Sequence, residues 1–226
     1  MAVLAHRGGN GPWRENTLAA FAGALAAGAD GVELDVRCSA DGIAVVHHDA
    51  EAEGVGPIAA VVARALPGWL PTLAGALETC AGALVNVELK SERSAHEDRT
   101  AATRPLAEAV VSLLVDVPGV VVSSFWPEAL EAVADLDAGI ATGLLVHPAF
   151  DAFEGLGRAG ELGCAAVHPH VSHLSAEFVG RAHDLGLGVT TWTANVPFDI
   201  DRALAAVVDG LITDDVAAAV AACRPG

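Results

Sequence analysis

Residues 31–36 read Gly-Val-Glu-Leu-Asp-Val, a short segment in which apolar residues alternate with two acids. Such alternation is typical of a β-strand whose two faces have different environments, one apolar and one polar, because successive side chains of a strand point to opposite faces. Glu33 and Asp35 therefore share one face, while the two valines and the leucine share the other. The segment predicts a buried strand that holds two carboxylates side by side.

Segments of this short, β-branched kind recur along the whole chain. The eight predicted strands are Ala2–His6, Gly31–Val36, Leu84–Glu88, Val120–Ser124, Thr142–Val146, Ala165–His168, Gly188–Trp192 and Gly210–Thr213. Strands that alternate with helices form a parallel sheet, and eight such rounds in 226 residues predict a closed TIM (β/α)8 barrel of the α/β class. The chain, residues 1–226, is then expected to form a single domain.

The stretches between the strands have the spacing and the caps of helices. In the first, apolar residues recur at intervals of three and four from Leu18 to Leu25, with Asn16 as the N-cap and Gly28 as the C-cap. Further helices are predicted to start at Pro71-Thr72-Leu73 and Pro127, to follow Ser175 and Phe198, and to span Val216–Cys223. Ser91–Arg104 is the most polar stretch and is predicted to be a loop.

One predicted strand, Ile43–His47, breaks the alternation of strands and helices. Only Ser-Ala-Asp-Gly at residues 39–42 separates it from the second strand, which leaves no room for a helix, and Asp-Gly between apolar segments is a hairpin signal. We expect Ile43–His47 to pair antiparallel with the end of the second strand. The small hairpin would fold over the C-terminal mouth of the barrel and bring His48 beside Glu33.

The formal net charge of −17 limits the classes of partner. Nucleic acids and anionic membranes attract surfaces rich in lysine and arginine, so we expect neither as a partner. The same charge repels a small anionic substrate, and a bound divalent cation would reverse the field locally.

Other features of the composition bear on the compartment. No run of about eighteen apolar residues occurs, so no membrane span is expected. The N-terminus lacks a basic segment followed by an apolar one, and the four cysteines have no C-x-x-C spacing. These features predict a cytoplasmic protein with free thiols. They do not predict the oligomeric state.

Three carboxylates on two neighbouring strands form a candidate metal site. Glu33 and Asp35 lie on the second strand, and Glu88 lies on the third in the segment Asn-Val-Glu-Leu-Lys. Three oxygen ligands that converge in one barrel mouth suit one divalent cation, Mg²⁺ or Ca²⁺, better than Zn²⁺. The alternative is a set of exposed acids at strand ends.

Two histidines and two cationic residues lie at the C-terminal ends of predicted strands. In TIM barrels the active site lies at this end of the barrel. His6 and Arg7 end the first strand and His48 ends the hairpin strand, so the histidines are candidates for an acid and a base. Lys90, the only lysine, is expected to contact a phosphate or to pair with a neighbouring carboxylate. Trp192, on an inward face, is expected to line the cleft.

Nine short motifs then follow one another in a recognisable order. They are His6-Arg7-Gly8, Glu15-Asn16-Thr17-Leu18-x-x-Phe21, Gly28-Ala29-Asp30-Gly31-Val32-Glu33-Leu34-Asp35-Val36, Asp41-Gly42, His48-Asp49, Glu88-Leu89-Lys90, Ser124-Phe125, Trp192-Thr193-Ala194-Asn195 and Gly210-Leu211-Ile212-Thr213-Asp214. Over almost the whole chain this set resembles the glycerophosphodiester phosphodiesterase family.

The resemblance implies a barrel hydrolase that cleaves glycerophosphodiesters to glycerol 3-phosphate and an alcohol. The implied roles are acid/base catalysis for His6 and His48, metal binding for Glu33, Asp35 and Glu88, phosphate contact for Arg7 and Lys90, and the cleft wall for Trp192. It implies neither which histidine is the base nor whether water or a substrate hydroxyl attacks.

Two departures from the family pattern concern the mouth. Arg14 replaces the usual proline before Glu-Asn-Thr, and residues 50–56 lack the usual Arg-Thr-Thr element. The connection from Asp49 to Pro71 leaves room for one extra helix at most. We expect the mouth to be open where the alcohol part of the substrate lies. Diesters of different small alcohols should then be hydrolysed with similar efficiency.

Other interpretations remain open. A related barrel phospholipase D or lyase on lipid head groups would need an exposed apolar or cationic lip. A catalytically silent barrel that binds glycerophosphate would need no acid/base pair, and a metal-dependent aldolase would need a free lysine amine. The histidines of His168-Pro169-His170-x-x-His173 are expected to line the cleft, with a second metal site as the alternative, and His183 to be structural.

Overall fold

The computed structural model describes residues 1–90 and 99–224, with only the backbone of residues 99–102. Its strands, in chain order β1 to β11, are Ala2–His6, Gly31–Cys38, Ala44–Val46, Glu51–Ala52, Gly56–Pro57, Leu84–Leu89, Val120–Ser124, Ala141–Val146, Ala166–Pro169, Gly188–Thr191 and Gly210–Thr213. Its helices, α1 to α8, are Leu18–Ala26, Leu73–Thr79, Arg99–Leu114, Pro127–Leu136, Ala152–Glu161, Ala176–Asp184, Pro197–Ala206 and Val216–Cys223.

Eight strands form the closed parallel barrel that the alternation predicted. Their order is β1-β2-β6-β7-β8-β9-β10-β11, and β11 pairs with β1 to close the ring. The apolar faces of the strands pack outward against the helices, with Val32, Leu34 and Val36 in the core between barrel and helices. Glu33 and Asp35 consequently point into the barrel, as their alternation with these residues predicted.

Each cap of α1 differs from the prediction by one residue. Thr17, not Asn16, is the N-cap, and its side-chain oxygen accepts a hydrogen bond from the backbone N–H of Ala20. The Asn16 backbone has a φ of 56°, and its side-chain Nδ2 donates to Asp35 Oδ2 at 2.8 Å inside the barrel. The C-cap is Ala27, and Gly28 follows it at a φ of 97°, a conformation that favours glycine.

The predicted hairpin is present. Strand β3 pairs antiparallel with the end of β2, so that Val46 lies opposite Val36 and Ala44 opposite Cys38. Residues 50–70, which we call the mouth segment, contain the β4–β5 pair, two short 3₁₀ turns and no α-helix, within the predicted limit of one extra helix. Its buried apolar residues, Ala52, Ile58 and Leu70, cluster with Val45 of the hairpin.

The expected loop at Ser91–Arg104 is wrong in part. Helix α3 begins at Arg99, and residues 91–98 of that prediction lie outside the described residues. Polarity alone does not distinguish a loop from the first turns of a helix, and the buried apolar residues described in α3 include Leu106, Ala107 and Val110.

Two findings bear on the expectations from composition. All four cysteines are free, as predicted. Of the helices that the structure describes, none is long and apolar enough to cross a membrane.

Candidate active site

The three predicted metal ligands converge at the C-terminal mouth. Strands β2 and β6 pair in a register that puts Asp35 beside Glu88 and Glu33 beside Asn86. One oxygen from each of Glu33, Asp35 and Glu88 lies within 4.8 Å of the others, and all three side chains are buried. In the described parts of the chain this acid triad is the one group of three side chains with such geometry.

Burial of the acid triad makes its negative charge costly. Burial, and next the charge of Asp35, raises the pKa of Glu33 to about 8, and burial also raises the pKa of Glu88. Burial acts to raise the pKa of Asp35 as well, but Lys90, Arg7 and a hydrogen bond lower it overall. Glu33 Oε1 is buried and forms no hydrogen bond with any described residue. Three oxygen donors with excess negative charge and one unsatisfied atom fit a divalent cation.

Two cations partly offset this charge. Arg7 Nε lies 3.0 Å from Asp35 Oδ2, and Lys90 Nζ lies 3.0 Å from Asp35 Oδ1 and also contacts Glu88. The ion pair given above as one alternative for Lys90 is therefore present. Arg7 also donates its backbone N–H to Glu33 Oε2 at 3.1 Å. Both cations thus lie against the acid triad.

His6 reaches the acid triad from β1. Its Nε2 lies 3.9 Å from Glu33 Oε2, and its Nδ1 lies 2.7 Å from Asp214 Oδ1. Burial acts to lower the pKa of His6, but the Asp214 hydrogen bond and the charge of Glu33 outweigh it and raise the pKa above its usual value. The Nδ1 atom is committed to Asp214, which leaves Nε2 directed at the acids.

His48 reaches the same place from the hairpin, and its Nδ1 lies 2.8 Å from Asp49 Oδ1. Burial lowers its pKa, Asp35 opposes this effect, and Lys90 and Arg7 add to it. Asp35, rather than the expected Glu33, is the carboxylate that acts most strongly on His48. In both histidines a carboxylate contacts Nδ1, Asp214 in His6 and Asp49 in His48, and Nε2 takes no part in that contact.

A sequence model of the Glycerophosphoryl diester phosphodiesterase family matches residues 6–64 and 58–218. The chain belongs to this family. The matched residues include both histidines, the acid triad and the two cations.

Relatives in this family match over nearly the full length. A glycerophosphodiester phosphodiesterase of Caldanaerobacter subterraneus subsp. tengcongensis is 29% identical over 247 residues, covering 99% of this chain and 98% of that protein. A phosphodiesterase of Oleispira antarctica, solved in complex with the product sn-glycerol-3-phosphate, has a TM-score of 0.86 at 28% identity, covering 99% and 96%. A glycerophosphodiester phosphodiesterase of Thermotoga maritima has a TM-score of 0.80 at 28% identity, covering 96% of each chain.

Sequence reasoning assigned no role to Asp214 and Asn195 in this family member. The Asn195 side chain bonds to Asp214 twice: its Nδ2 donates to Asp214 Oδ2, and its Oδ1 accepts from the Asp214 backbone N–H at 2.8 Å. The sequence placed Asp214 directly after the last predicted strand, and the structure adds the register of β1 and β11, which puts Ala5 beside Thr213. The residues that follow, His6 and Asp214, then meet at the mouth.

Aromatic residues line the mouth beyond β7 and β10. The half-buried Trp192 packs edge-to-face on Phe125 at 5.3 Å and on His170 at 5.0 Å between ring centroids. His170 and His173 lie in this wall, and no described residues beyond the acid triad form a three-residue metal cluster. His183 Nε2 lies 2.9 Å from an Asp209 carboxylate oxygen, in keeping with a structural role.

His168 lies inside the barrel and is 2% exposed. Burial lowers its pKa to about 4, and its Nδ1 has no hydrogen-bond partner among the described residues. A Cβ on Gly143 would lie 2.7 Å from its Nε2, so glycine at this position makes room for the ring. Neutral imidazole therefore fills the barrel interior.

Acid should destabilise the protein through His168. Its folded pKa of about 4 lies below the usual 6.5, so the unfolded chain binds the proton more readily, and stability falls as pH drops from 6.5 to 4. We expect His168 to account for about 3 kcal/mol of this loss. Urea unfolding across this range should show a shallower pH dependence for His168→Asn or His168→Leu. Equal slopes in the parent and both variants would contradict the assignment.

Proposed function

We propose that the chain is a metal-dependent phosphodiesterase that hydrolyses glycerophosphodiesters to glycerol 3-phosphate and an alcohol by two-histidine acid/base catalysis. The observation that carries the proposal is the meeting of His6, His48, the acid triad and two cations at one barrel mouth. Family membership and the Oleispira antarctica relative, solved with sn-glycerol-3-phosphate, support the substrate class.

One divalent cation, Mg²⁺ or Ca²⁺, is the proposed cofactor, held by Glu33, Asp35 and Glu88. When bound, it supplies polarisation of a phosphate oxygen and offsets the negative charge that develops there. Arg7 and Lys90 each contact Asp35, and from there they can donate hydrogen bonds to the other phosphate oxygens. The substrate phosphate is thereby oriented between the two histidines.

The histidines move the protons. One takes a proton from the attacking oxygen, and the other gives a proton to the oxygen of the departing alcohol. Asp214 and Asp49 hold the two Nδ1 atoms, so that each Nε2 is the nitrogen left for the transfer. Trp192, part-buried in the aromatic wall, offers its ring to the carbon face of the glycerol moiety.

A direct assay tests the proposal. The protein is incubated with glycerophosphocholine, glycerophosphoethanolamine or bis(p-nitrophenyl) phosphate in Mg²⁺, Ca²⁺, Mn²⁺ or EDTA, and released glycerol 3-phosphate or p-nitrophenol is measured. We expect turnover of the glycerophosphodiesters with at least one metal and none in EDTA. Absence of turnover with every metal would favour a catalytically silent barrel that binds glycerophosphate.

A second candidate has one observation in its favour. Phe150 and Phe198 follow β8 and β10 and are each 71% exposed, and exposed apolar side chains are what a lipid-directed phospholipase D or lyase would need at its mouth. Lysophosphatidylcholine belongs in the same assay for this reason. Faster release of choline from this lipid than from glycerophosphocholine would favour the second candidate.

Loss of the Asp214 charge should slow catalysis with little change in substrate binding. Asp214 binds His6 Nδ1 and is not one of the proposed metal ligands, so Asp214→Asn should lower kcat by about 10–10²-fold while KM stays nearly constant. Asp209→Asn is the matched control, because Asp209 pairs with His183 outside the site. A kcat for Asp214→Asn equal to that of the control would remove Asp214 from the mechanism.

A further inference from the structure

Arg14 covers the face of an aromatic ring at the mouth. Its guanidinium carbon lies 3.6 Å from the centroid of the Trp69 ring, and its Nη2 lies 3.1 Å from Glu53 Oε2. Trp69 and Glu53 belong to the mouth segment, residues 50–70, whereas Arg14 belongs to the loop between β1 and α1. The stack therefore joins two separate parts of the mouth.

The covered ring lies next to His47, the residue that precedes His48 after the hairpin strand. The rings of Trp69 and His47 are 6.0 Å apart, and His48 follows His47 directly. Trp192 follows β10, and two barrel strands, β11 and β1, separate β10 from β2 and its hairpin. If the glycerol moiety lies against Trp192, the alcohol of the substrate extends towards Trp69.

An uncovered tryptophan face would change the preference for the alcohol. Aromatic faces attract quaternary ammonium groups such as that of choline, and Trp is the best of the aromatic residues for this contact. Arg14 already occupies one face of the Trp69 ring, and its charge is paired with Glu53, so a second cation cannot stack on that face. Neutral and cationic alcohols then meet similar surroundings.

We propose that Arg14 is a specificity-determining residue that withholds the Trp69 face from cationic alcohols. The inference rests on the proposed phosphodiesterase function and refines it. Because the stack fills the site where choline would gain affinity, the parent protein treats choline and glycerol as equivalent leaving groups. Removal of the Arg14 side chain exposes the ring and creates a preference for choline.

The test is the ratio of kcat/KM for glycerophosphocholine to kcat/KM for glycerophosphoglycerol. We expect this ratio to rise about tenfold in Arg14→Ala and to return to the parent value in Arg14→Ala/Trp69→Leu. Arg64→Ala is the control, since it removes one exposed positive charge from the mouth segment without uncovering Trp69. A general loss of activity lowers both kcat/KM values and leaves their ratio unchanged. In the Arg14→Ala variant the cluster of Ile58, Leu70 and Val45 still holds the mouth segment in place.

A rise below about threefold in Arg14→Ala, an equal rise in Arg64→Ala, or a gain that survives Trp69→Leu would overturn the inference. Calorimetric titration with choline gives a second readout that needs no turnover: choline should bind Arg14→Ala at least about tenfold more tightly than the parent, and equal binding would also overturn it. Failure of the parent to hydrolyse either diester would count against the proposed function, and choline binding would then decide the role of Arg14.

Discussion

Alanine at His6 or His48 is expected to lower kcat by about 10²–10⁴-fold, the usual contribution of a positioned acid or base. The fold should persist, because both side chains lie at the mouth, with 23% of His6 and 37% of His48 exposed, and neither belongs to the apolar core. Steady-state kinetics on glycerophosphocholine, with thermal unfolding of each variant, measure both effects.

His183→Ala is the matched control for the two histidine variants. His183 lies on α6 and pairs with Asp209, so its loss should leave kcat unchanged. Near-parent turnover by His6→Ala or His48→Ala would remove that residue from the proposed mechanism. A large fall in melting temperature for either variant would show that the side chain is structural.

Removal of the metal should abolish turnover, since the negative charge that develops on the phosphate would lose its largest counter-charge. Binding is also expected to stabilise the fold: at a metal concentration of about 100 Kd the melting temperature should rise by roughly 5–10 °C. Scanning calorimetry in EDTA and in increasing Mg²⁺ or Ca²⁺ measures this rise without any substrate.

The ligand variants locate the metal. Glu88→Gln removes one of the three proposed anionic ligands and should weaken binding by about 10²-fold, so that the stabilisation by metal shifts to higher concentrations. Glu177→Gln, on the exposed surface of α6, is the isosteric control and should behave as the parent. Equal stabilisation of Glu88→Gln and the parent would show that the cation binds elsewhere.

The barrel itself could be predicted because it is built from local repeats. Val32, Leu34 and Val36 alternate with Glu33 and Asp35, and that alternation alone assigns the strand, its two faces and the shared direction of the acids. Asp-Gly at residues 41–42 likewise predicts the hairpin from chain geometry within a few residues.

Contacts between distant residues required the tertiary structure. Asn16 was expected to be the N-cap of α1, but its side-chain amide binds Asp35, and Thr17 is the N-cap. Asp214 is 208 residues away from His6 and is brought to it by closure of the barrel.

The sequence by itself determined the strands, the inward acids and the family. The periodicity of a strand or helix depends only on the backbone geometry of a few consecutive residues. It can therefore be read from any short segment of the sequence. Only the tertiary structure decided which carboxylate holds His6, that Lys90 pairs with the acid triad, and that Arg14 covers Trp69. These contacts join residues that are far apart in the sequence, and they arise only when the chain folds into the barrel.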